Sequence, residues 1–155
     1  MLLLNLGCGK VFHSKWSNFD TVSQAPGVKE CDVRSGLPFA DESIDICYSS
    51  HMIEHLIPAE AHRLLAEIFR ILSPNGIIRI VVPDLELLVN NYLDTLSDVV
   101  QDNSREDDYD WTVIQLIDQA VRRDSGGKCQ SSFMTRPERT IILLLKELDL
   151  KRSQC

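Results

Sequence analysis

Two clusters in the first third of the chain combine residue types and spacings that can do chemistry. Gly7-Cys8-Gly9 directly follows the apolar run 2–6. Glycines at the end of a strand let backbone approach a ligand that a side chain would block. Phe12 stands where the dinucleotide fingerprint G-x-G-x-x-G needs its third glycine, so a pyrophosphate resting on a tightly packed helix N-terminus is disfavoured. Asp20, eleven residues after Gly9, falls at the end of the second strand candidate, where a carboxylate can accept from both hydroxyls of a ribose. Asp32 follows the third strand candidate and could accept from an exocyclic adenine amine. Taken singly, the glycines read equally as a strand-ending turn, and each aspartate reads first as a solvated loop residue.

The second cluster is His51-Met52-Ile53-Glu54-His55. H-x-x-E-H is the inverted zincin pattern, two histidine ligands and a glutamate base on one helix. Such a centre needs a third ligand and a longer helix than Pro58 allows, so zinc hydrolysis through His51, Glu54 and His55 is the lesser alternative and no metal site is assigned. The other readings are capping and packing after a strand, or the lining of an acceptor pocket beyond the carboxyl end of that strand. His13 and His62 read as surface residues, Cys8 as a small packed residue, and Trp16 and Trp111 as core or lid aromatics.

Elements that could position these groups follow from hydrophobic spacing. Short apolar runs predict strands at 2–6, 17–22, 28–31, 45–49 and 77–82, the last two apolar enough to be buried on both faces. Between them, Ala61, Leu64, Leu65, Ile68 and Leu72 recur at helical spacing within 59–72, with Arg63, Glu67 and Arg70 on the outer face. Pro74-Asn75-Gly76 ends that helix. Strand, helix, turn, strand is a βαβ unit and implies a parallel sheet. The short step from Gly9 to Asp20 requires an abbreviated first crossover. Asp84 is expected to cap a helix carrying Leu85, Leu88, Val89, Tyr92, Leu93 and Leu96. Residues 101–110, with five acidic side chains against Arg105, predict an exposed linker, and Asp110 a cap for a helix to Arg123 stopped by Ser125-Gly126-Gly127. For 135–148 a helix is favoured over a strand, because Thr135 to Glu138 forms a capping-box pattern and Ile141, Leu144, Leu145 and Leu148 share one face.

The chain has 155 residues, enough for one domain, with 44% hydrophobic and 25% charged residues as in ordinary globular proteins. Its net charge of −7, acidic in both halves, disfavours nucleic acid or an anionic membrane as the main partner. Five cysteines without a C-x-x-C pair suit a reducing cytoplasm. The start MLLLNLG carries no basic region and no cleavage site, so it is not read as a secretory signal. The apolar run 140–145 is far below the ~20 residues of a spanning helix.

The ordered set L-N-L-G-C-G (4–9, led by Leu3), N-F-D (18–20), C-D-V (31–33), L-P-F-A-D-E-S-I-D (37–45), S-H-M-I-E-H-L (50–56), R-I-L-S-P-N-G (70–76) and R-I-V-V-P-D (79–84) resembles class I S-adenosylmethionine-dependent methyltransferases, in particular a bacterial subgroup often associated with surface-polysaccharide genes. The resemblance runs from Leu2 to about Leu93. It implies an α/β, Rossmann-like, mostly parallel sheet flanked by helices, abbreviated at the C-terminal end and lacking the usual closing antiparallel strands. Residues 1–100 would form the cofactor-binding core and 101–155 a helical extension or lid of the same domain. It further implies that Gly7, Cys8 and Gly9 pass under the methionine part of S-adenosyl-L-methionine, that Asp20 holds the ribose, that Asp32 and the Val33 amide contact adenine, and that Ser49 lies near the sulfonium. Asn5 departs from the acidic residue many members carry. The activity implied is methyl transfer to a small polar or glycan acceptor, such as a sugar hydroxyl, with His51 or His55 as base and Glu54 orienting it or binding the acceptor. A cofactor-binding module without turnover is the alternative. A cytoplasmic protein, with no membrane insertion and a homodimeric state, completes the expectation.

Overall fold

The short apolar runs of the first half pair into one sheet. A computed structural model describes residues 1–102, 105–121 and 138–144. Its strands are β1 (Leu3–Leu6), β2 (Ser17–Asp20), β3 (Val28–Glu30), β4 (Ile44–Ser50), β5 (Leu72–Pro83) and β6 (Glu138–Leu144), in the order β3-β2-β1-β4-β5-β6. The first five pair in parallel throughout. The order reverses between β1 and β4, the position at which open α/β sheets bind ligands beyond their carboxyl ends.

Register explains the core. Leu4 lies opposite Cys47, and Cys47 opposite Ile78. These residues, with Leu6 and Ile80, pack against Leu64, Ile68 and Ile71 of α1 (Pro58–Ile71). Each such aliphatic side chain contributes roughly 1.5–3 kcal/mol by leaving water. Pro58 opens the helix, where its missing N–H costs nothing, and Glu60 reaches back to accept from the Ile57 amide at 3.2 Å. The predicted outer-face residues Glu67 and Arg70 are more engaged than expected. Arg70 donates to Glu67, to Asp41 and to the carbonyls of Phe39 and Leu37, while Glu67 accepts from the Leu37 amide.

The other face carries Asn5, Ile46, Tyr48, Ile77 and Arg79. The β1–β2 connection holds no helix, so the first crossover is abbreviated as the Asp20 spacing requires. Its residues Val11, Phe12, His13 and Trp16 join that face to line a cavity of about 650 Å³. Asn18, buried in β2, ties the connection down by donating to the carbonyls of His13 and Trp16 and accepting from Asn5.

Several elements differ from the sequence reading. The β5 strand begins at Leu72, and its register against β4 shifts between Ile44 and Ile46, so Pro74-Asn75-Gly76 is absorbed as an irregularity rather than a separate turn. Asp84 caps α2 (Leu85–Gln101) as expected, accepting from the Leu87 amide. The linker expected at 101–110 is mostly helix, because α2 runs to Gln101 and α3 (Glu106–Val121) starts at Glu106. Asp110 is therefore inside α3 and not its cap; Glu106, Asp107 and Asp108 in the first turn favour that earlier start through the helix dipole. The helix favoured for 135–148 is corrected to strand over Glu138–Leu144, where Thr140, Ile141 and Ile142 are β-branched and β5 offers an edge. Among the described residues a single strand, rather than a pair, follows α3. The Ser125-Gly126-Gly127 stop lies outside the described residues.

The chain divides into two compact units, Met1–Val82 with the segment from Thr140, and Pro83–Arg139. Within the second, α2 and α3 pack together through the tilted ring pair of Tyr92 and Tyr109 and a 2.9 Å contact between the Thr95 and Thr112 hydroxyls. No helix of the described residues is long and apolar enough to cross a membrane.

Candidate functional site

All the residues singled out for chemistry lie in the first unit, at or just beyond the carboxyl ends of β1, β2, β3 and β4. The chain leaves β1 through two left-handed glycines, Gly7 at φ +69 and Gly9 at φ +55. The Gly7 and Cys8 amides both donate to the Phe19 carbonyl, which folds the loop over β2. A Cβ on Gly7 would stand 2.6 Å from Cγ of Met52, whereas one on Gly9 would meet nothing within 4 Å. Gly7 therefore admits the Met52 side chain, and Gly9 borders open space. The Gly9 amide donates to Oδ2 of Asp20 at 2.7 Å, so the ribose-candidate carboxylate and the glycine loop are one hydrogen-bonded unit.

Asp32 caps a single 3-10 turn, Val33–Ser35, by accepting from the Arg34 amide at 3.0 Å. The Arg34 guanidinium also grips it with both oxygens engaged, at 2.8 and 2.9 Å, and these bonds hold the Asp32 carboxyl below the usual carboxylate range. Val33 is buried in the core cluster. Arg34 is an interaction the sequence reading missed, although an i, i+2 pair beside a strand end is a local signal for it.

At the end of β4, Ser49 is 2% exposed and its Oγ has no hydrogen-bond partner among the described residues. His51 takes a left-handed backbone, φ +51, and its amide donates to the Val81 carbonyl. That turn brings Nδ1 of His51 to 3.4 Å from Oε1 of Glu54, with both side chains about one-fifth exposed. The other carboxyl oxygen, Oε2, is buried without a hydrogen-bond partner among the described residues. His55 ends the 3-10 turn Ile53–His55, its amide donating to the Met52 carbonyl. Glu54 thus pairs with His51.

The segment 51–55 is not α-helical, so it lacks the one-turn stacking of two histidines that the inverted zincin pattern uses, and no group of three potential ligands that could hold a metal occurs among the described residues. Cys8 is buried, and burial with the Asp20 charge nearby pushes its thiol up, which keeps it a packed thiol rather than a nucleophile. His13 and His62 are exposed. Open space at Gly9, a carboxylate fastened to the glycine loop, and two orphaned polar atoms on Ser49 and Glu54 fit a polar ligand carrying hydroxyls and hydrogen-bond donors.

Residues 4–80 match the family model described as a methyltransferase domain. Solved structures with a similar chain path include an S-adenosylmethionine-dependent methyltransferase from Mesorhizobium loti, at 20% identity over 54% of this chain and 47% of that one, TM-score 0.43. A protein from Pyrococcus horikoshii matches at 22% identity over 57% and 51%, TM-score 0.47. An S-adenosylmethionine-dependent methyltransferase from Archaeoglobus fulgidus matches at 20% over 64% and 58%, TM-score 0.45. The matched part spans about half the length of these structures. No curated protein matches. The parallel sheet with its helices has the Rossmann-like fold of class I methyltransferases, residues 4–80 are similar to a methyltransferase domain, and S-adenosylmethionine is the cofactor of that domain type.

Proposed function

We propose that this chain transfers a methyl group from S-adenosylmethionine to a small polar acceptor, a sugar hydroxyl of a surface polysaccharide being the chemistry that suits a base-assisted site. The observation that carries the reading is the Asp20 carboxylate bonded to the Gly9 amide beside the β1/β4 switch point, with the His51–Glu54 pair after β4. Gly7, Cys8 and Gly9 would receive the methionine part, Asp20 the ribose, Asp32 and the Val33 amide the adenine, and Ser49 would stand near the sulfur. When bound, the cofactor supplies a methyl group already activated on a sulfonium. The chain's part is then to align donor and acceptor, an effect that can supply roughly 7–11 kcal/mol, and to remove the hydroxyl proton. Glu54, with Oε1 3.4 Å from Nδ1 of His51, would favour the tautomer in which Nε2 takes that proton. His55 is the second candidate base.

Residues 1–100 are read as the cofactor-binding core and 101–155 as an extension or lid of the same domain, in a cytoplasmic homodimer. Calorimetric titration with S-adenosylhomocysteine tests the cofactor site. Micromolar binding that weakens at least tenfold in Asp20→Ala is expected; no binding at millimolar ligand, or indifference to that substitution, would overturn the reading. Binding without methyl transfer to any hydroxyl acceptor would favour a module without turnover.

A further inference from the structure

Resting on that cofactor assignment, we propose that Oε2 of Glu54, with the Ser49 hydroxyl, binds the primary ammonium of the cofactor's amino-acid end. Among the described residues, buried side-chain polar atoms lacking a hydrogen-bond partner are Ser49 Oγ, Glu54 Oε2 and Trp111 Nε1. The first two lie within six residues of each other at the carboxyl end of β4, where Leu6, the residue before the glycine loop, sits opposite Ser49. Met52, between them, is the side chain that Gly7 accommodates. A buried polar atom left unpaired carries its full desolvation penalty, and a carboxylate oxygen can only accept, so Oε2, with the Ser49 hydroxyl five residues before it in the chain, points to a ligand that donates. A primary ammonium brings three N–H donors and a positive charge that suits a carboxylate.

The aspartates at the ends of β2 and β3 already accept from the chain and are read as the ribose and adenine ligands. Asp20 accepts from the Gly9 amide, and Asp32 from Arg34 on both oxygens. In β1, Asn5 is neutral and donates to Asn18, so that strand offers no carboxylate. Glu54 uses Oε1 toward His51, which leaves Oε2 for the ligand. An amine-bearing acceptor would present the same chemistry, and the test separates the two sources.

Affinities of the full chain and Glu54→Gln are measured for S-adenosylhomocysteine and for its deamino analogue. The unsubstituted chain is expected to bind S-adenosylhomocysteine about ten- to a hundredfold more tightly than the analogue, the range of one charge-assisted hydrogen bond, and Glu54→Gln to remove most of that preference while leaving analogue binding unchanged. Equal binding of the two ligands by the unsubstituted chain would overturn the proposal, as would a substitution that weakens both alike. Unchanged S-adenosylhomocysteine affinity, with a raised KM confined to an amine acceptor, would assign the ammonium to the acceptor and overturn it too. Should Glu54→Gln fail to fold, the two-ligand comparison on the unsubstituted chain and on Ser49→Ala decides. Absence of S-adenosylhomocysteine binding altogether would instead remove the functional reading itself.

Discussion

Two glycines two residues apart separate folding from binding at the scale of single residues. Both have positive φ, where any other residue is strained. Only Gly7 faces a clash, with Met52, while Gly9 faces open space. Gly7→Ala is expected to cost about 2–4 kcal/mol of folding stability, because backbone strain and a displaced Met52 add. Gly9→Ala should cost only about 1–2 kcal/mol yet weaken S-adenosylhomocysteine at least tenfold, since its methyl enters the space the ligand needs. Urea unfolding and calorimetry on both variants check this; a Gly9→Ala protein with unaltered ligand affinity would place the ligand elsewhere. That Gly7 and Gly9 follow a strand and that Asp20 ends the next one was legible in the sequence, because short apolar runs closed by turn residues mark strand ends. The bond between the Gly9 amide and Asp20 was not, since it depends on how β1 and β2 align. Nor was the engagement of Asp32 by Arg34, which competes with any ligand for the same two oxygens.

Helix α1 does more than cover the sheet at the scale of elements. Its Glu67 and Arg70 hold the segment 37–41 in place through side-chain and backbone bonds. Arg70 is the main cause that keeps the Glu67 carboxyl below its ordinary value of 4.5. A lowered carboxyl stabilises the folded chain above the unfolded value and loses that contribution as pH falls through the folded one. Arg70→Met should therefore be less stable than the unsubstituted chain at pH 7, and the gap should narrow as pH drops below about 4. Chemical unfolding at a series of pH values measures this; a gap independent of pH would show that Arg70 acts through packing and its carbonyl bonds and not through the Glu67 charge. Periodicity found α1 and the apolar face of α2, yet it mistook 138–144 for helix. Aliphatic residues there fit either period, and the choice falls to the neighbour, an available edge of β5.

For the whole molecule, a ligand that binds only the folded chain adds stability by mass action, about 2.7 kcal/mol at a hundred times its Kd. S-adenosylhomocysteine at that level should raise Tm by roughly 5–11 °C, and Asp20→Ala should cut the shift to about half or less. A scan showing the same Tm with and without ligand would contradict a site formed by folding. The sequence by itself determined the parallel βαβ core, the loop glycines and the acidic, globular character, because hydrophobic period, glycine after a strand and net charge are local or additive properties. Tertiary structure alone decided that Met52 closes on Gly7, that His51 reaches Glu54 through a left-handed turn, and that Ser49 and Glu54 keep buried atoms unpaired among the described residues. Those facts depend on strand register and burial, which arise only when residues distant along the chain are brought together.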